Sequence, residues 1–92
     1  MSQLAKSIAE FDVSITEATV LLFVEANPGC LQSELGQALN IASANVTTLV
    51  TTIEKKNLVV RQPADGRSKC LHLTNSGIPF TLNLRSRMER FE

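Results

Sequence analysis

The sequence contains no tryptophan or tyrosine, and it has one histidine and two cysteines. It has no glycine-rich phosphate loop and no nucleophile placed beside a general base, so nothing in it indicates an enzyme. His72 has no second ligand-type residue at metal spacing, which favours a structural histidine over a zinc ligand. We therefore expect neither catalysis nor a metal or other cofactor.

The two cysteines, Cys30 and Cys70, are too few for a disulfide framework or a metal site of the usual spacing. Both lie in apolar segments with β character, where a free cysteine commonly packs as a small buried side chain. We expect both thiols to be structural. A redox pair across neighbouring strands is the alternative.

Long apolar runs are also absent, since the longest covers only residues 20–24. This is far too short for a membrane span or the core of a signal peptide, so we expect a soluble, cytoplasmic protein with no membrane partner. An apolar content of 43% in 92 residues is typical of one globular domain, residues 1–92, with a single core.

Charge is balanced in number but not in distribution. Nine basic and nine acidic residues sum to zero, which by itself argues against a nucleic-acid binder. However, residues 1–54 carry one base and six acids, whereas residues 55–90 carry eight bases and two acids. Such segregation favours a basic face on the folded protein, the usual electrostatic footprint of nucleic-acid binding.

The clearest start of a helix is the pair Ser14 and Glu17, whose three-residue spacing matches a capping box. An apolar run follows, so the pattern predicts a buried helix over residues 15–26. Asn-Pro-Gly at residues 27–29 should end it.

Two helical patterns separated by a tight turn come next. Apolar residues recur through residues 31–39, and Asn40 suits a left-handed turn after this short helix. Residues 42–56 predict a longer helix, with Asn57 as its cap and a threonine-rich outer face. The side chains that we expect this helix to bury are Val46, Leu49, Val50 and Ile53.

A hairpin is predicted after the longer helix. Residues 58–62 and 68–73 alternate as strands do, and Pro63 and Asp65-Gly66 between them are strong turn signals. A short helix, a turn, a longer helix and a hairpin with a basic tip form a winged helix-turn-helix. The expected fold class is therefore mainly α with a small β-hairpin wing (α+β).

Apolar stripes mark both ends of the chain. Residues 2–11 predict an amphipathic helix, and Thr74 is a candidate cap for a last helix that starts near residue 78 because Pro79 fits only in a first turn. Apolar seams on such a small domain favour dimerisation through residues 1–12 and 78–92, although the two helices could instead pack together within one subunit. The seam residues are Leu4, Ile8, Phe80, Leu84, Met88 and Phe91.

Taken in order, residues 15–77 resemble the MarR family of bacterial winged-helix regulators. The resemblance is carried by NPGCLQSELGQALNIASANVTTLVTTIEKKNLVVRQ, by Asp65 and Arg67 in an Asp-x-Arg pattern at the wing, and by LTNSG, which is similar to the family's Leu-Thr-x-x-Gly. It implies a homodimer that binds double-stranded DNA, with residues 42–56 in the major groove and the wing, residues 62–68, in the minor groove. It also implies repression of nearby genes, with release by phenolic compounds or thiol oxidation. The residues themselves do not support a small-molecule effector.

The sequence departs from the family pattern in three places. Residues 42–53 contain no basic residue, although family recognition helices usually carry some. Leu31 stands where a hydroxyl N-cap is usual. The chain is also shorter than typical members, so we expect shorter dimerisation helices.

Affinity for duplex DNA comes mainly from lysine and arginine on phosphates, whereas polar side chains at base edges supply specificity. Threonine, serine and asparagine suit the second task, and four threonines within residues 47–52 are not what helix stability alone would favour. Arg67 could be a solvated turn residue, but its position matches the wing arginine of the family. The candidate DNA-binding residues are Ser33, Ser43, Asn45, Thr47, Thr48, Thr51, Arg61, Arg67 and Lys69.

These observations predict a sequence-specific, dimeric, DNA-binding transcriptional regulator. The alternative is a winged-helix module for protein–protein interaction that does not bind DNA, which the neutral longer helix and the zero net charge favour. A basic face would support the first function, and an apolar patch in the same place would support the second.

Overall fold

The computed structural model describes residues 12–64, 66 and 68–89. These residues form four helices and a three-stranded sheet. The predicted helix over residues 2–11 lies outside the described residues and stays a prediction from the sequence. Among the candidate site residues, the same applies to Leu4, Ile8, Arg67 and Phe91.

The first described helix, α1 (Ile15–Ala26), begins and ends where the sequence predicts. Ser14 Oγ accepts a hydrogen bond from the Glu17 amide at 3.1 Å, and Glu17 Oε1 accepts one from the Ser14 amide at 2.8 Å. The predicted capping box is thus confirmed. The helix supplies the centre of the core with Ala18, Val20, Leu21 and Val24, each at most 1% exposed.

The next two helices, α2 (Gln32–Leu39) and α3 (Ser43–Lys55), form the predicted helix-turn-helix. Asn40 is the C-cap of α2 with a φ angle of 56°, which confirms the predicted left-handed turn. The C-cap of α3 is Lys56 rather than the predicted Asn57, which follows it with a φ angle of 62°. The helix α2 starts at residue 32 rather than at the predicted residue 31, because Leu31 belongs to a strand. As predicted, α3 buries Val46, Val50 and Ile53, and Leu49 packs against the core while remaining partly exposed.

Three antiparallel strands make the sheet: β1 (Cys30–Leu31), β2 (Val59–Pro63) and β3 (Lys69–Leu73), in the order β1-β3-β2. The β2–β3 hairpin confirms the predicted wing. The β character predicted at Cys30 is confirmed, but the sequence did not predict the bounds or the pairing of β1, because two residues are too short to show alternation. It forms by pairing with β3, and the neighbouring Gly29 amide donates to Leu71 O at 2.9 Å.

The strand register separates the two cysteines. Cys30 pairs with Leu71 and is buried with it in the core, whereas Cys70 is the next residue along β3 and therefore points to the opposite face. On that face its Sγ atom lies 3.8 Å from His72 Nε2. Burial raises the pKa of the Cys30 thiol, and the charge of Glu34 raises it further. The register contradicts a disulfide between the two, since thiols on opposite faces cannot join without backbone movement.

The last helix, α4 (Gly77–Glu89), packs against α1. Thr74 connects it to the rest of the domain, because its Oγ1 accepts from the Gly77 amide at 2.9 Å and donates to Asn57 O at 2.6 Å. This confirms Thr74 as the cap and explains the Leu-Thr-x-x-Gly motif. Arg85 Nη1 adds an ion pair to Glu25 Oε1 of α1 at 3.2 Å.

The apolar stripe on α4 faces the core of its own subunit. Leu84 is 0% exposed, and Phe80 and Met88 pack partly buried against the same cluster. The assignment of Leu84 to a dimer seam is therefore wrong, because its whole surface is already covered by the protomer. None of the described helices is long and apolar enough to cross a bilayer.

Candidate nucleic-acid interface

An open groove of about 790 Å³ lies between α2, the start of α3 and the start of β3. It brings together three of the candidate residues, Ser33, Ser43 and Lys69, which are all exposed. The close approach of α2 to α3 depends on Gly36, where a Cβ atom would lie 3.1 Å from both Ile41 O and Val46 Cγ2. The groove is thus built by the helix-turn-helix and bordered by the wing.

Gln32, at the first position of α2, crosses this groove to α3. Its Nε2 atom donates to Thr47 Oγ1 at 3.0 Å, and its buried Oε1 atom has no hydrogen-bond partner among the described residues. Sequence reasoning missed Gln32, since a glutamine at a helix start has no distinctive pattern. The contact fixes the position of Thr47 relative to α2.

The threonine hydroxyls on α3 are engaged with the helix backbone. Thr47 Oγ1 donates to Ser43 O at 3.1 Å, Thr48 Oγ1 donates to Ala44 O at 3.1 Å, and Thr52 Oγ1 donates to Thr48 O at 3.0 Å. This geometry is common for threonine in helices. Because each proton is already donated, these hydroxyls can offer only lone pairs to an external group. Thr47 and Thr48 are both exposed.

Asn45 stands in the first turn of α3, near the groove. It is exposed, and its side-chain amide makes no hydrogen bond within the described part of the chain. Its oxygen and nitrogen are therefore both available to a ligand. Among the candidate residues on α3, Asn45 has the most versatile hydrogen-bonding capacity.

Arg61 and Thr51, both predicted to contact DNA, contact each other. Arg61 Nη2 donates to Thr51 Oγ1 and to Glu54 Oε1, each at 2.9 Å. The sequence could not show this pair, because β2 must first fold back along the C-terminal half of α3. The Arg61 assignment is corrected accordingly: its guanidinium joins the wing to α3 rather than facing solvent as a free cation.

The same contact affects Glu54, whose carboxyl pKa is lowered by its hydrogen bond to Arg61. Because this pKa is lowered, the ion pair contributes its full stabilisation at every pH above the ordinary pKa of a glutamate. The contribution is lost as the pH falls through the lowered pKa and the carboxylate is protonated. The wing should therefore be held against α3 at neutral pH.

Within residues 12–64, 66 and 68–89, the basic face predicted from charge segregation is smaller than expected. Several bases are paired within the protomer: Lys56 Nζ lies 3.5 Å from Glu17 Oε1, and both Arg61 and Arg85 bind carboxylates. Two of the described lysines are exposed and make no ion pair. They are Lys69 at the groove and Lys55 at the end of α3. Positive charge therefore flanks the outer face of α3 and does not lie on it.

The sequence model of the MarR family matches residues 11–68. This chain belongs to the MarR family. A putative transcriptional regulatory protein for the hcr operon of Thauera aromatica is 36% identical to this MarR-family chain over 61 residues, covering 64% of the chain and 37% of that protein. The chain thus spans well under half the length of this curated relative.

Solved structures of the MarR family share the fold. The S. aureus MepR–DNA complex has a TM-score of 0.89 and 25% identity, and the match covers 97% of this chain and 67% of MepR. The transcriptional repressor CouR, bound to a 23-mer DNA duplex, has a TM-score of 0.86 and 28% identity, covering 94% of this chain and 62% of CouR. The MarR-type winged helix-turn-helix is thereby confirmed.

Proposed function

We propose that this MarR-family chain is a sequence-specific DNA-binding transcriptional regulator, a repressor that acts as a homodimer in the cytoplasm. The observation that carries the proposal is the outer face of α3, where Asn45 and Thr48 are exposed on the same helix whose first residue, Ser43, lines a groove together with Lys69. The relatives solved with DNA support it, and CouR is itself a transcriptional repressor. Family membership also supports the expectation that the chain is not an enzyme.

The groove suits the DNA backbone. Ser33, Ser43 and Lys69 offer two hydroxyls and one ammonium group to phosphate oxygens. Ala42 provides no side-chain cap for α3, and its carbonyl accepts from the Asn45 and Val46 amides. The amides of Ser43 and Ala44 are therefore the donors that this helix start offers to an anion. We assign phosphate contacts to this groove. Arg67, which lies outside the described residues, stays the predicted minor-groove contact of the wing.

The outer face of α3 suits the major groove. Asn45, Thr47 and Thr48 are its exposed candidates for contacts with base edges. Thr51 and Arg61 have a different task, because their contact with each other and with Glu54 sets the angle between the wing and α3. Both are therefore proposed as positioning residues for the DNA site.

The protein–protein alternative gains no support from the comparisons. Its expected apolar patch on α3 is also missing, because the large exposed apolar side chains among the described residues lie elsewhere. They are Ile15 on α1 and Ile78 and Leu82 on α4, each 45–49% exposed. A small-molecule effector stays an implication of the family resemblance.

The DNA function is tested with Asn45→Ala on a duplex enriched by the protein from a randomised library. We expect a loss of about 1–3 kcal/mol on the enriched duplex and much less on unrelated DNA, because the variant removes base contacts only. Fluorescence anisotropy titrations at fixed salt provide both affinities. Asn75→Ala, in an exposed turn beside the C-terminal end of α3 and thus at the opposite end of the helix from Asn45, is the matched control and should bind like the parent. Equal losses on both duplexes for Asn45→Ala would contradict base readout.

The dimer seam is proposed on the exposed side of α4, not on the stripe that contains Leu84. Ile78 and Leu82 lie one turn apart on one helix face, and each leaves about half of its surface uncovered. Exposed apolar pairs of this kind mark interfaces. The partly buried Phe80 and Met88 stay proposed seam residues beside them.

Sedimentation equilibrium at micromolar concentration should show twice the mass of the chain. Leu82→Asp should shift the equilibrium to the monomer, because dimerisation would bury an unpaired carboxylate. Asn83→Asp adds the same charge at the adjacent exposed position and should leave the dimer intact. A parent protein that sediments as a monomer at this concentration would rule out the seam.

A further inference from the structure

We propose that α3 recognises half-sites rich in A·T pairs, reading thymine methyl groups and adenine amino groups in the major groove. This inference rests on the DNA-binding function proposed above and adds the class of sequence that the protein selects. It follows from the chemical groups that α3 exposes and from those that it lacks.

Guanine has no strong partner on the first three turns of this helix, since its lysine, Lys55, is the last residue of α3. The commonest guanine contact is a bidentate arginine or lysine on O6 and N7, and residues 42–53 contain neither. Arg61, a basic residue of the wing strand β2, is held by Glu54 and Thr51 at 2.9 Å. A carboxylate could accept from cytosine N4, but the only one on α3, Glu54, is held by the same contact. G·C pairs thus lose their usual readers.

The exposed hydroxyls add discrimination against guanine. Thr47 and Thr48 donate their protons to the carbonyls of Ser43 and Ala44, so each can only accept from a base. Thr48 has both lone pairs available, whereas Thr47 already accepts from Gln32 and has one left. Adenine presents an amino donor at N6 and cytosine presents one at N4, either of which such an oxygen can accept, whereas guanine presents two acceptors. The hydroxyls therefore disfavour guanine, and the preference for A·T over G·C depends on the methyl contacts and on Asn45. Two acceptors facing each other in a dry interface leave polar groups unpaired, which costs binding free energy. Asn45 completes the pattern, since its amide suits N6 and N7 of adenine.

Methyl groups supply the favourable apolar contact. Ala44 and Thr48 are both exposed and lie one turn apart on the outward face of α3. Because the Thr48 hydroxyl is held against the backbone, its methyl group is the remaining free branch of the side chain. Alanine and threonine methyls pack against the C5 methyl of thymine. A face of methyls, acceptors and one amide therefore complements A·T pairs.

The experiment starts with selection of duplexes about two helical turns long, roughly 20 base pairs, from a randomised library with the full chain. The enriched duplex is then made with thymine or with uracil, which removes only the C5 methyl group. We expect A·T-rich half-sites and weaker binding of the uracil form. The affinity should fall by about fourfold for each thymine methyl group that packs against α3, as burial of one methyl-sized group predicts.

Two variants at one position separate the methyl from the hydroxyl. Thr48→Val keeps a methyl branch and should preserve the preference for thymine over uracil. Thr48→Ser keeps the hydroxyl, and its thymine-to-uracil affinity ratio should fall towards one. A general loss of structure would weaken binding of both forms equally and leave that ratio unchanged.

The outcomes distinguish this inference from the function on which it rests. Enrichment of G·C-rich sites, or equal affinity for the thymine and uracil forms, would overturn the A·T readout while leaving DNA binding established. If no sequence is enriched above the starting library, the proposed DNA-binding function fails and the A·T readout fails with it.

Discussion

Gly77→Ala is expected to remove a large part of the folding stability of the domain. A Cβ atom at this position would lie 1.9 Å from Leu58 O and 2.9 Å from Leu58 C, far inside van der Waals contact. The backbone cannot move aside easily, because the Thr74 amide donates to Leu58 O at 3.1 Å and Thr74 Oγ1 donates to Asn57 O. Urea unfolding followed by circular dichroism should show a loss of about 3 kcal/mol or more, a large part of the stability of a small domain.

Gly66→Ala is the matched control for this substitution. The Cβ position of Gly66 has no atom within 4 Å, but its φ angle is +59°, so the variant tests conformation without crowding. A left-handed alanine costs about 1–2 kcal/mol. Equal losses at residues 66 and 77 would contradict the view that contact with Leu58 makes glycine necessary at the start of α4.

Leu84→Ala is expected to reduce the free energy of unfolding by about 2–5 kcal/mol, because it leaves a cavity in a fully covered site. Leu84 is 0% exposed and belongs to the same core cluster as Leu21 and Val24 of α1. The loss should appear as a lower urea midpoint with the helical circular dichroism signal retained before the transition. It should not depend on protein concentration, since the contacts lie within one protomer.

Leu82→Ala provides the comparison within the same helix. Leu82 is 47% exposed in the protomer, so its truncation leaves no internal cavity. If α4 forms the dimer seam, the effect of Leu82→Ala should grow with protein concentration and disappear on dilution, as linkage between folding and association requires. If the loss of stability for Leu84→Ala depended on protein concentration, it would contradict the assignment of Leu84 to the core of a single protomer.

Much of the local structure could be predicted because the signals lie a few residues apart. Ser14 and Glu17 set the start of α1, and Asn40 and Asn57 adopt the left-handed conformation that ends two helices. The turn signals between β2 and β3 likewise predicted the wing. Each depends on hydrogen bonds or backbone preferences within about one turn, so the residues alone were sufficient.

The candidate DNA site was predicted in composition but only partly in geometry. Ser33, Ser43 and Lys69 do meet at one groove, as expected from a helix-turn-helix followed by a wing. Arg61 does not join them, because its position depends on how β2 crosses α3. The Gln32–Thr47 hydrogen bond was also not predictable, since it joins two helices whose separation depends on Gly36.

For the described residues, the sequence by itself determined which segments are helical, their bounds to within about one residue, and in what order the parts of the winged helix follow. The three-dimensional packing was needed to show which face of α4 is covered, that Cys30 and Cys70 point to opposite faces, and that β1 pairs with β3. The physical reason is the range of the interactions. Helix caps and turns form between close neighbours in the chain, whereas burial and strand pairing depend on partners such as Cys30 and Leu71 that only folding brings together.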